Sequence, residues 1–136
     1  MILLKAADCP ARKIEEFPYK GKPLPVKDVW IQWVSQVGPP ESPEYGLRVF
    51  TVGPGGEIPI HNHGYYQTMY ILSGRLVMTS YDIKTDAKIL EKEIGPGEVA
   101  FIPTMEPHSI TNLSQTEQAT FLCCIANVYE DEDLGA

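Results

Sequence analysis

Twelve prolines and eleven glycines are spread through 136 residues, and this punctuation limits the fold more than any other feature of the chain. Proline removes a backbone donor and clashes with the preceding helical turn, and glycine weakens a helix by about 1 kcal/mol relative to alanine. Almost no window longer than three helical turns escapes both, so strands must carry the structure. Between the breaks lie runs rich in β-branched and aromatic residues at 29–37, 45–52, 67–72, 75–83, 87–94, 98–103, 108–113 and 119–129, separated by turn signals such as VGPGG, LSGR, KTDA and GPGE. Short strands at that spacing predict an all-β sandwich or barrel. The run 87–94, AKILEKEI, has the composition of a helix, but its length and the following Gly95-Pro96-Gly97 predict an edge strand.

The length suits one domain with a core of its own. Residues 1–28, interrupted by Pro10, Pro18, Pro23 and Pro25, read as an extended N-terminal arm without regular structure; 29–129 read as a single barrel domain, and 130–136 as an acidic, frayed tail. No apolar run approaches the roughly 18 residues of a membrane span, and the first residues turn polar too quickly for a signal peptide. Cys9, Cys123 and Cys124, an odd number with one adjacent pair, form a poor disulfide framework and fit the reducing cytoplasm. Eleven basic against 18 acidic residues, a net charge of −7, argue against a nucleic-acid surface.

The chain has three histidines, His61, His63 and His108. Residues two apart on a strand share a face, with Cα atoms about 7 Å apart, so His61 and His63 present paired imidazoles. Gln67 has the same parity, but straight strand would carry it about 13 Å beyond His63. A turn at Gly64 is therefore predicted to bring it back on the next strand, and a distant strand must supply His108. Neutral imidazoles suit Zn, Fe, Mn, Ni or Cu, and affinities for these ions overlap too far for sequence to choose one.

Residues 55–74 read Gly55, five residues, His61-Asn62-His63, three residues, Gln67, six residues, Gly74; further on, Gly97, Pro103, His108 and Asn112 fall at similarly fixed intervals. Both patterns resemble the two motifs of the cupin superfamily, with Gln67 where a glutamate is usual and Met105 where a glycine is usual. The resemblance implies a double-stranded β-helix, or jelly-roll barrel, with one divalent metal ion held by His61, His63 and His108, and by Gln67 if its amide oxygen ligates. It also implies a small metalloenzyme of dioxygenase, isomerase or lyase type acting on a small organic molecule, or a non-catalytic ligand-binding or sensing module. Absence of a second domain or a DNA-binding helix pair to serve as a sensor's output favours the enzyme. An amide cannot accept a proton near neutral pH and leaves the metal its full charge, so an anionic or enolisable substrate is expected.

Other residues have plainer readings. Arg48 shares parity with Phe50 and Val52, and is either an inward anchor for an anionic substrate or a surface charge. Tyr65, Tyr66 and Tyr70 read as core or interface aromatics, with Tyr70 on the opposite face from Gln67. Cys123 and Cys124 point to opposite sides, so at most one faces the interior. Met105 is expected to reshape the loop before His108 without changing a ligand. The apolar groups on both faces of VWIQWV, together with the N-terminal arm, suggest a homodimer in which the arm crosses the partner.

Overall fold

A single strand of 17 residues, Tyr45–His61, runs through both halves of the molecule. The structure, a computed structural model, describes residues 1–35 and 45–126; the acidic tail at 130–136 and the ends of the runs at 29–37 and 119–129 lie outside the described residues. After a single 3-10 turn at Ala6–Asp8 the strands are β1 (Ala11–Tyr19), β2 (Lys22–Trp33), β3 (Tyr45–His61), β4 (Gln67–Ser73), β5 (Leu76–Tyr81), β6 (Lys88–Ile94), β7 (Val99–Ile102), β8 (His108–Thr111) and β9 (Ala119–Ala126). One sheet in the order β6-β5-β8-β3-β9-β4-β7 coils into a nearly closed jelly-roll barrel, with β2 added on β3 and β1 on β2. Among the described residues no helix is long and apolar enough to cross a membrane.

The first half of β3 pairs with β2 and β9, the second half with β8. Between them lies Gly53-Pro54-Gly55-Gly56, expected to be a turn between strands and found instead as a bend within one. Gly55 has a φ of +68°, and a Cβ at Gly56 would come within 2.9 Å of the Asp28 and Lys27 carbonyls. Side chains are excluded there, so the strand folds over β2 without ending.

Residues 11–28 are a correction to the expected arm. They form the β1–β2 hairpin, closed by Lys20 and Gly21 with φ of 49° and 78°, the two positive values of a type I′ turn. Its prolines are tolerated because β1 has only β2 as a neighbour, and Pro23 and Pro25 precede the stretch of β2 that pairs with β3, which starts at Lys27. The 87–94 run is the edge strand β6, as expected.

Inward side chains of both halves fill the core, where Phe50 and Phe121 stack at 4.9 Å. Asn112, 1% exposed, fastens the barrel floor: its amide donates to the Val52, Gly53 and Glu117 carbonyls at 3.2, 3.1 and 2.8 Å, and its oxygen accepts from the Ser114 N–H. Asn112→Leu leaves these groups unpaired, and a loss of about 3 kcal/mol in denaturant unfolding is expected.

Candidate metal centre

His61 is the last residue of β3, and its partner across the ladder is His108, the first residue of β8. Antiparallel pairing thus delivers the distant imidazole. His63 lies beyond the end of β3, in a connection that bends at Gly64 and Tyr65 before β4 starts at Gln67. The turn that returns Gln67 is where it was expected, while His63 sits on a loop and not on a strand.

The two histidine segments are tied together. Met105 N–H donates to the His63 carbonyl at 2.9 Å, and the Asn62 amide donates to the Met105 carbonyl at 3.1 Å. Met105 has a φ of +68°, so the loop keeps the left-handed backbone natural to glycine and is not reshaped as expected. Tertiary hydrogen bonds hold a methionine where its Cβ is strained. Met105→Gly should therefore raise stability by roughly 0.5–1 kcal/mol, read from the urea midpoint, without changing metal content.

Each imidazole donates from Nδ1 to a backbone carbonyl two residues away: His61 to Pro59 at 2.8 Å, His63 to Tyr65 at 3.3 Å, His108 to Glu106 at 2.9 Å. A carbonyl only accepts, so Nδ1 carries the hydrogen and Nε2 keeps its lone pair. The ligand atoms of the three histidines lie within 4.8 Å of one another. Nε2 of His63 and of His108 are buried with no hydrogen-bond partner, an arrangement that is costly unless something electrophilic fills it. Three oriented, neutral donors of this kind fit a divalent transition metal.

Burial, then the charges of His108 and Arg48, pushes His63 down to about 3; burial pushes His108 down to about 4, and burial with the His108 charge holds His61 well below the ordinary range. All three are neutral imidazoles at pH 7. In metal-free protein the folded state binds fewer protons than the unfolded state below 6.5, so stability is full above that pH and lost as pH falls toward 4 and 3. The expected loss is on the order of several kcal/mol, measured by urea unfolding of chelator-treated protein across this window; a flat profile would contradict it.

Phe17 stacks on His61 at 4.6 Å, and the Tyr65 ring lies parallel to His63 at 4.1 Å. Phe17, from β1, was not anticipated. The irregularity between Ile14 and Glu16 breaks the period-two pattern that would have marked it as inward. Gln67, 5% exposed, lies beside His63 and lines the same cavity. Arg48 faces inward and is 1% exposed; its Nη2 donates to the Cys123 Sγ at 2.8 Å, and its guanidinium lies 5.3 and 4.9 Å from the Trp33 and Phe50 rings. Cys123 is thus the cysteine that faces inside, and Cys124 is exposed. Tyr65 is buried, whereas Tyr66 and Tyr70 are exposed, on the opposite side from Gln67 in the case of Tyr70. Among the described residues, no aspartate or glutamate lines the histidine cavity.

A jelly-roll barrel in which three histidines from paired segments converge on a buried cavity defines a class of small β-barrel proteins with a histidine site suited to metal. The chain belongs to the cupin family: the Cupin domain model matches residues 48–125, more than half of its length. No curated protein is significantly similar in sequence. Among solved structures it is similar to the polyketide cyclase RemF from Streptomyces resistomycificus, with 24% identity and a TM-score of 0.69 over 98% of this chain and 89% of that one. It is also similar to a cupin-2 domain protein from Rhodospirillum rubrum, with 19% identity and a TM-score of 0.69 over 98% and 79% of the two chains. A predicted oxalate decarboxylase from Thermotoga maritima matches at 20% identity and a TM-score of 0.67, over 93% of this chain and all of that one.

Proposed function

We propose that His61, His63 and His108 hold one divalent transition metal ion, with Gln67 beside them as a neutral fourth ligand, and that the protein is a small metalloenzyme of dioxygenase, isomerase or lyase type acting on an anionic or enolisable organic molecule. The observation that carries this reading is the sign of the site: three neutral imidazoles and an amide, one buried guanidinium and, among the described residues, no acid lining the cavity. A bound divalent ion would supply a Lewis acid for an oxygen function of the substrate. Arg48, buried in the same cavity, would add a fixed positive charge beside the ion and so favour an anionic oxygen of the substrate there, where solvent does little to screen it. Gln67 cannot take a proton, so proton handling falls to other groups, with the Tyr65 phenol placed in the cavity lining.

The enzyme names among the structural neighbours belong to proteins less than 25% identical in sequence and support the fold alone. Elemental analysis of the purified protein, followed by a screen of small carboxylates and enolisable carbonyls monitored by oxygen consumption and by mass, tests the reading. One ion per chain with turnover of a member of the screen is expected. One ion per chain with tight binding and no turnover across the screen would favour the alternative, a ligand-binding or sensing module.

The three free cysteines support a cytoplasmic setting. We also infer a homodimer, on the apolar groups that remain on the outside of the barrel, among them Trp30, Tyr70, Val99 and Phe101. The N-terminal residues pair with the barrel of their own chain, so the outer face of the sheet, and not an arm, is the contact. Light scattering at micromolar concentration should give twice 15.2 kDa, and the monomer mass would rule the dimer out.

A further inference from the structure

The histidine cavity has room for about 10 Å³, an ion or one water and no organic molecule. The two ends of the sheet, β6 and β7, do not pair, and a cleft of about 420 Å³ lined by both reaches in as far as His108. That volume is ordinary for a small-molecule site.

Ladder register shows which side chains face it. Ser80 is opposite both His108 and Leu90, and Met78 is opposite both Ile110 and Lys92. Directly opposed residues share a face of the sheet, so Leu90 and Lys92 stand on the same face as His108 and Ile110, at the solvent-exposed rim of the cleft. From the far wall Ala100 and Ile102 face in, opposite Met69 and Gln67. The cleft walls are mainly apolar, with Thr79 and Ser80 among them, and Lys92 stands at the exposed rim. Lys92 takes no part in the ion pairs of its own strand, Lys88–Glu91 and Arg75–Glu93. Of the acids bordering the cleft, Glu98 is held by the Gly95 N–H at 2.9 Å, and Glu106 belongs to the loop leading into His108.

We propose that this cleft is the substrate chamber of the metal centre, that Lys92 determines its specificity, and that the ligand is a largely apolar, ring-sized molecule with two anionic groups, one directed at the histidines and the other at Lys92. The proposal rests on the reading of the histidines as a metal site. Two strand spacings across and two residues along place the Lys92 and His108 Cα atoms roughly 12 Å apart on a flat sheet, a span for one or two rings. The competing role for Lys92 is protection of an edge strand, where a charge discourages pairing between molecules.

Cobalt(II)-loaded protein and its Lys92→Met variant distinguish the two. The probes are naphthalene dicarboxylate with its acids at opposite ends, the corresponding monocarboxylate, and azide, which reports on the metal through the visible cobalt bands. The diacid should bind about fivefold more tightly than the monoacid, and Lys92→Met should erase that advantage while monoacid affinity, azide response and cobalt content stay unchanged. Equal affinities in the unsubstituted protein, or an advantage that survives in Lys92→Met, overturns the proposal; survival together with association of the variant in light scattering assigns Lys92 to edge protection. Loss of cobalt binding or of the azide response in the unsubstituted protein overturns the metal reading instead, and the diacid advantage in metal-free protein, with its dependence on Lys92, then decides the cleft by itself.

Discussion

His108→Ala should abolish stoichiometric metal binding while the barrel remains folded. The ladder that pairs residues 61 and 108 is made by the backbone and survives the substitution, so a near-native circular dichroism spectrum is expected. What disappears is one of three imidazoles whose Nε2 lone pairs meet in the cavity. The two that remain cannot enclose the ion, and affinity should fall by more than about a hundredfold, so that metal is lost on gel filtration. His61→Ala should behave in the same way, because His61 and His108 are cross-strand partners. Elemental analysis showing full occupancy in either variant would remove the basis of the proposed function. A second readout follows from burial: with one depressed imidazole gone, the metal-free variant should lose less stability on acidification than the metal-free parent.

Gln67→Glu should leave metal retention equal or tighter and weaken small anions by at least about tenfold, with little effect on a neutral analogue of the same shape. Three imidazoles and an amide leave a divalent ion its whole charge; a carboxylate at position 67 would cancel one unit next to the ligand. At an effective dielectric of 20, one unit charge at 4 Å is worth about 4 kcal/mol, enough to outweigh the small change in shape. Gln67 is buried beside His63, where solvent does little to screen the new charge. Calorimetry of a dicarboxylate and its neutral diamide on metal-loaded protein decides the matter. Equal anion affinity before and after the substitution would mean that charge at this position does not select the ligand.

Several features were legible in the sequence because they depend on covalent neighbours. Proline and glycine act within a turn or two of their own position, so their spacing was enough to exclude long helices and predict a sandwich or barrel of strands. The intervals through Gly55, His61, His63, Gln67 and Gly74, and through Gly97, Pro103, His108 and Asn112, are likewise counted along the chain, and they were enough to nominate the histidines. Long-range pairing decided the rest. Period two separates Arg48, Phe50 and Val52 from their neighbours but does not say which set faces inward; closure of β3 between β2 and β9 buries Arg48 against Cys123. The shift in β1 between Ile14 and Glu16 conceals Phe17, and only pairing with β2 carries it onto His61. Met105 keeps a glycine's backbone because it is hydrogen-bonded to Asn62 and His63, a contact no local propensity encodes. Lys92 looks like any charge in a polar edge strand until the register through β5 to β8 places it on the same sheet face as His108, because facing is settled by which strands pair and in what register.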